Sequence, residues 1–148
     1  MDRFRQALRV VSMGSLLVFG ACSMVQMAPK STSMTARLSG ASEVPAVSTD
    51  ATGRVEASLA AGTNLLTWKI TYSGLSGPVT GAHFHGPAMV GENAGVVVPI
   101  SAPLTSPITG SATLTPNQAV DLSVGKWYVN LHTAANPNGE IRGQVVVQ

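Results

Sequence analysis

Gly53 to Tyr72 reads GRVEASLAAGTNLLTWKITY, and the spacing of its apolar residues decides the fold. Val55, Ala57 and Leu59 alternate with Arg54, Glu56 and Ser58, and farther on Leu66, Trp68, Ile70 and Tyr72 alternate with Leu65, Thr67, Lys69 and Thr71. Side chains two apart share one face of an extended strand, so each half presents an apolar and a polar face. The intervening AGTN, Ala61 to Asn64, supplies the Gly and Asn that a tight turn needs for positive φ. The stretch predicts an antiparallel hairpin.

Short runs of the same kind follow at similar spacing, each ended by Gly, Pro or Asn: Val79 to His85, Gly95 to Ile100, Gly110 to Leu114, Lys126 to Thr133 and Ile141 to Val147. TARLSGA, Thr35 to Ala41, precedes the hairpin and reads as an edge strand. One helix interrupts the series at TPNQAVDLSVG. Thr115 is placed to cap it, Pro116 suits its first position, Gln118 completes a capping box and Gly125 ends it. About eight short antiparallel strands with one short helix make an all-β protein, a Greek-key sandwich or barrel.

The first residues read as an export signal. Arg3, Arg5 and Arg9 form a basic start, and Val10 to Phe19 is an apolar run about half the roughly 20 residues that span a bilayer. Gly20 and Ala21 then precede Cys22, the only cysteine, an arrangement that resembles the lipobox of bacterial lipoprotein precursors. That resemblance implies removal of residues 1–21, lipidation of Cys22 and a membrane anchor facing the periplasm or exterior of a bacterial cell envelope. Residues 22–33 read as the lipidated cysteine and a flexible linker, and 34–148 as the folded domain. Met24, Met27 and Met34 are soft donors of the type copper(I) favours, although linker methionines without a partner are the commoner case.

Cleavage after Ala21 takes away three Arg and one Asp, leaving six basic and six acidic residues and no net charge. No basic stripe is left to neutralise phosphates, which excludes nucleic acid as a partner. The acidic residues form no close pair, and the chain has neither a nucleophile elbow nor a phosphate loop.

Chemistry concentrates on the three histidines. In GAHFHGPA, His83 and His85 share the strand face opposite Phe84; in KWYVNLHT, Tyr128, Asn130 and His132 share the face opposite Val129 and Leu131. With the apolar residues inward, all three imidazoles face out of the barrel, and three neutral imidazoles suit one copper or zinc ion. Asn130, Glu140 and Arg142 are candidates to orient the rings from behind. The Gly-, Pro- and Asn-rich segments after His85 and His132 are long enough to shape a site. Histidines that merely sit on the wet face of two strands are the competing reading, and the domain is then a structural or protein-interaction module.

LSGASEVPAV (Leu38 to Val47), YSGLSGPVTGAHFHGPA (Tyr72 to Ala88) and GKWYVNLHTAANPNGEIRGQV (Gly125 to Val145) together resemble the CHRD domain, the module repeated in chordin and found singly in bacterial envelope proteins. The resemblance implies an immunoglobulin-like β-barrel and a binding module with an unidentified protein partner. It also implies a distant likeness to copper/zinc superoxide dismutase, which takes copper ligands from a His-x-His strand and a late-strand histidine, matched here by His83, His85 and His132. A dismutase-like copper redox enzyme is therefore a rival expectation. The chain lacks the histidines for a second metal and a cysteine pair, and Arg142 is out of clear register with that enzyme's guiding arginine. Glu43, in ASEVP, falls in a matched stretch without an assigned chemistry.

Overall fold

A computed structural model describes residues 30–148, so the signal, Cys22, Met24, Met27 and most of the linker lie outside the described residues. Nine strands and one α-helix follow in the order β1 (Ser31–Ser39), β2 (Thr52–Ala60), β3 (Leu65–Ser73), β4 (Val79–His85), β5 (Val96–Pro99), β6 (Ile108–Thr113), α1 (Pro116–Ser123), β7 (Tyr128–Thr133), β8 (Ile141–Gln144) and β9 (Val146–Val147). All pairings are antiparallel, in the order β5-β4-β7-β8-β1-β2-β3-β6, with β9 also against β1. The result is a nearly closed barrel or sandwich. Among the described residues no helix is long and apolar enough to cross a membrane.

The hairpin forms as its alternation dictates. Val55 lies opposite Ile70, Ala57 opposite Trp68 and Leu59 opposite Leu66, all buried. Gly62 and Asn64 take the positive φ of the turn, at 85° and 52°. Around this wall the core is filled by Leu38, Phe84, Ile108, Trp127, Val129, Leu131 and Ile141. Trp68 meets Phe84 edge-on at 5.1 Å between ring centroids, an arrangement the aromatic quadrupole favours. Helix α1 has the expected box: Thr115 Oγ1 accepts from the Gln118 amide, and Gln118 Oε1 accepts from the Thr115 amide.

Three sequence expectations need correction. The segment read as an edge strand is interior, because β1 pairs with β2 along its whole length and with β8 and β9 on its other side. The edges are β5 and β6. Strand β1 also begins at Ser31, within the stretch read as linker, and Met34 is 1% exposed in the core, so its thioether packs against apolar neighbours and offers no surface donor. The run from Ile141 to Val147 is two strands, because the Val145 amide turns to donate to Trp127 O.

A candidate metal site on the outer face of β4, β7 and β8

His83 and His85 stand on β4, and His132 on β7. Antiparallel pairing sets Gly81 opposite His132, His83 opposite Asn130, and His85 opposite Tyr128. Since Gly81 has no side chain, nothing on β4 separates the His132 ring from His83. Asn130 lies opposite Arg142 of β8. The outward register of all these residues is as the alternation predicts.

Their exposure differs from a wet face. His85 is 8% exposed, Asn130 4%, Tyr128 3% and Arg142 2%, while His83 and His132 are half-buried. Two loops cover them. The loop from Gly86 to Gly95 is tied down by Ala88 N donating to Lys126 O (2.8 Å), by Gln144 Nε2 donating to Ala88 O (2.9 Å), and by Arg142, which donates to Glu92 O (2.5 Å) and Asn93 Oδ1 (2.9 Å). The second loop, after Thr133, brings Pro137 O to 3.0 Å from His132 Nδ1. Burial depresses the basicity of His83 and His85, and the neighbouring imidazoles push the same way.

The hydrogen bonds identify the free lone pairs. Ala94 O lies 3.0 Å from His85 Nδ1, as Pro137 O does from His132 Nδ1. Carbonyl oxygens only accept, so both Nδ1 atoms carry a proton and both Nε2 atoms of the neutral rings are bare. These bare nitrogens face the same acceptor, Asn130 Oδ1, at 2.9 and 3.0 Å. His83 Nδ1 is 3.1 Å from His132 Nε2, and the neutral His83 ring carries its single proton either on Nδ1, toward the gap, or on Nε2, which leaves Nδ1 bare as well. Lone pairs converging in this way are the donor set of a cation. One ring nitrogen from each histidine lies within 4.8 Å of the other two. Nitrogens at about 2.0–2.1 Å from one tetrahedral ion are about 3.4 Å apart, so the trio would close by roughly 1 Å around copper or zinc.

Of the three residues expected to support the rings, Asn130 touches two of them directly. Arg142 acts at one remove: its guanidinium carbon lies 3.4 Å from the Tyr128 ring centroid, and Tyr128 stacks on His85 at 4.8 Å with planes 1° apart. Glu140 is a correction. It hydrogen-bonds to Thr49, Ser76 and Thr133 and makes none to an imidazole. Its backbone precedes β8, and its side chain fastens the segment between β3 and β4 to the end of β7.

Tyr128 and Glu43 belong to the surroundings of the site, although sequence reasoning gave neither a role. Tyr128 shares the outward parity of Asn130, which is the signal that finds it. Glu43 is 7% exposed, its Oε1 has no hydrogen-bond partner, and desolvation raises its pKa to about 7 against the pull of Arg142. A pocket of about 650 Å³ among Arg37, Arg54 and Tyr72 includes none of the histidines.

No curated protein and no solved structure matches the chain, so the likeness to superoxide dismutase finds no support there. A model of the CHRD domain matches residues 34–145, which contain every residue of the site described above. The chain belongs to the CHRD domain family.

Proposed function

We propose that this protein is an envelope-tethered CHRD binding module that holds one copper or zinc ion through His83, His85 and His132. The observation that carries the reading is the meeting of two bare Nε2 atoms and an amide oxygen without a proton for each gap. Burial of the rings adds to it, because imidazolium formation is the other way to satisfy such a cluster and desolvation opposes it. Lipidation of Cys22 would tether the module to a bacterial membrane, facing the periplasm or exterior, and a protein partner of unknown identity fits the family.

Redox catalysis of the dismutase kind is less well supported. A guiding cation has to be free to meet an anion. Arg142 is stacked on Tyr128, with its donors engaged by Asn93 and Glu92.

The test is to load the purified chain with copper(II) or zinc, remove the excess, and measure metal per chain for the wild type and for His83→Ala, His85→Ala and His132→Ala. About one equivalent in the wild type and little in each variant is expected. A wild type that retains none leaves a protein-interaction module.

A further inference from the structure

Beyond the three imidazoles, the position of Asn130 bears on what kind of metal site this is. We propose that the Asn130 side-chain oxygen is the fourth ligand, closing the coordination sphere formed by His83 Nδ1, His85 Nε2 and His132 Nε2. This inference rests on the metal-binding reading above and goes further: a site closed by four protein ligands holds or delivers an ion and leaves no place for a small substrate to bind it.

Two independent observations carry it. The first is distance. Asn130 Oδ1 is 2.9 Å from His85 Nε2 and 3.0 Å from His132 Nε2, while His83 Nδ1 is 3.1 Å from His132 Nε2. Adjacent ligands of a tetrahedral ion are about 3.4 Å apart, so these three spacings already suit neighbours in one coordination shell, and the histidine nitrogens, which lie within 4.8 Å of one another, would close the rest of the way on binding. At 4% exposure, Asn130 is itself shielded from water.

The second is the orientation of the amide. An asparagine whose nitrogen faced the rings would donate to both Nε2 atoms and satisfy them without an ion. Here that rotation is opposed from behind. A Cβ built on Gly139 would lie 2.8 Å from Asn130 Nδ2 and also against Glu43 Oε1, so the amide nitrogen and the carboxylate oxygen border the same small space. Rotating the amide would turn its oxygen toward that group, one acceptor against another once Glu43 is ionised, above about pH 7. Glu43 Oε1 is buried without a partner and favours the NH2 group on its side. Glu43 is thus a positioning residue, and Asn130 keeps its oxygen toward the imidazoles. Copper accepts an amide oxygen as a weak ligand, and zinc accepts oxygen beside nitrogen.

The experiment compares copper(II)-loaded wild type, Asn130→Ala and Asn130→Asp by electron paramagnetic resonance and by absorption during azide titration, with metal per chain and thermal melting recorded for each. Expected is a wild type whose spectra do not change with azide, and an Asn130→Ala protein that binds copper about 10- to 100-fold more weakly and gains an azide-dependent band at the vacated position. Asn130→Asp, which restores an oxygen, should again resist azide, and it serves as the decisive variant if Asn130→Ala fails to fold. Wild type that holds one equivalent yet binds azide as readily as Asn130→Ala overturns the fourth ligand and leaves the three-histidine site standing. Wild type that holds no copper overturns both.

Discussion

Glu140 and Glu43 are both buried carboxylates, and their surroundings could hardly differ more. Glu140, fully buried, accepts from the Ser76 amide (2.9 Å), from the hydroxyls of Ser76 (2.5 Å) and Thr133 (2.6 Å), and from Thr49 Oγ1 (3.2 Å). Burial alone would raise its pKa, but these donors outweigh burial and hold the carboxyl at about 2. Glu43 has no donor on Oε1, so burial dominates and its pKa rises to about 7. A buried charge that is fully hydrogen-bonded fastens a fold, whereas one left unpaired costs stability and persists where something else requires it. Glu140 fastens the segment between β3 and β4 to β7, and Glu43 backs the amide beside the histidines.

The contrast is broken most directly at Glu140. Glu140→Ala leaves the Ser76 amide and three hydroxyls without their acceptor, and a loss of about 3 kcal/mol or more in urea unfolding at pH 7 is expected. Glu140→Gln sharpens the point through pH. With a folded pKa near 2, below the ordinary 4.5, the charge of Glu140 stabilises the fold above about pH 4.5, and that stability is lost as pH falls toward 2. The gap between wild type and Glu140→Gln should therefore narrow over that interval. A gap independent of pH would mean that shape, and not charge, fastens this corner.

Gly139 stands between the two carboxylates in sequence and tests the Glu43 side. Its φ is +124°, and a methyl group there would crowd Glu43 and Asn130. Gly139→Ala is expected to cost about 2–3 kcal/mol from overpacking and backbone strain together. Gly62→Ala makes the control, since its φ of +85° is also positive but nothing lies within 4 Å of its added Cβ. Its cost should stay near 1 kcal/mol by the same denaturation measurement. Equal losses would show that the space behind Asn130 is looser than its contacts imply.

What was legible in the sequence is what short-range rules control. Alternation in Gly53 to Tyr72 and the Thr115–Gln118 box depend on neighbours in the chain, and both elements form as read. Parity along β4 and β7 likewise put His83, His85, Asn130 and His132 on one face. Burial of that face was not legible, because the cover comes from loops whose own residues carry no strong pattern. The place of β1 was misread because a short extended run such as Thr35 to Ala41 says nothing about how many strands lie alongside. Glu140 was a candidate to orient a ring, while its partners Thr49 and Ser76 are distant in the chain and not legible from it. Glu43 reaches the site from the turn after β1, a placement fixed only by the pairing of β1 with β8.

The smallest expected effect has the opposite sign and is the sharpest discriminator. Glu43 has a folded pKa near 7, above its ordinary 4.5, so between those values the native state holds a proton that the unfolded chain has released. Stability from this group is therefore fully present below about pH 4.5, declines as pH rises, and levels off above 7. Glu43→Gln removes the titration while keeping the shape. The variant should melt like wild type near pH 4 and be the more stable protein at pH 8, by on the order of 1 kcal/mol after the lost attraction to Arg142 is counted. A variant less stable than wild type at pH 8 would show that the Arg142 attraction exceeds the desolvation cost. Glu43 would then be a second fastening like Glu140, its charge offset within the fold and not held unpaired behind Asn130.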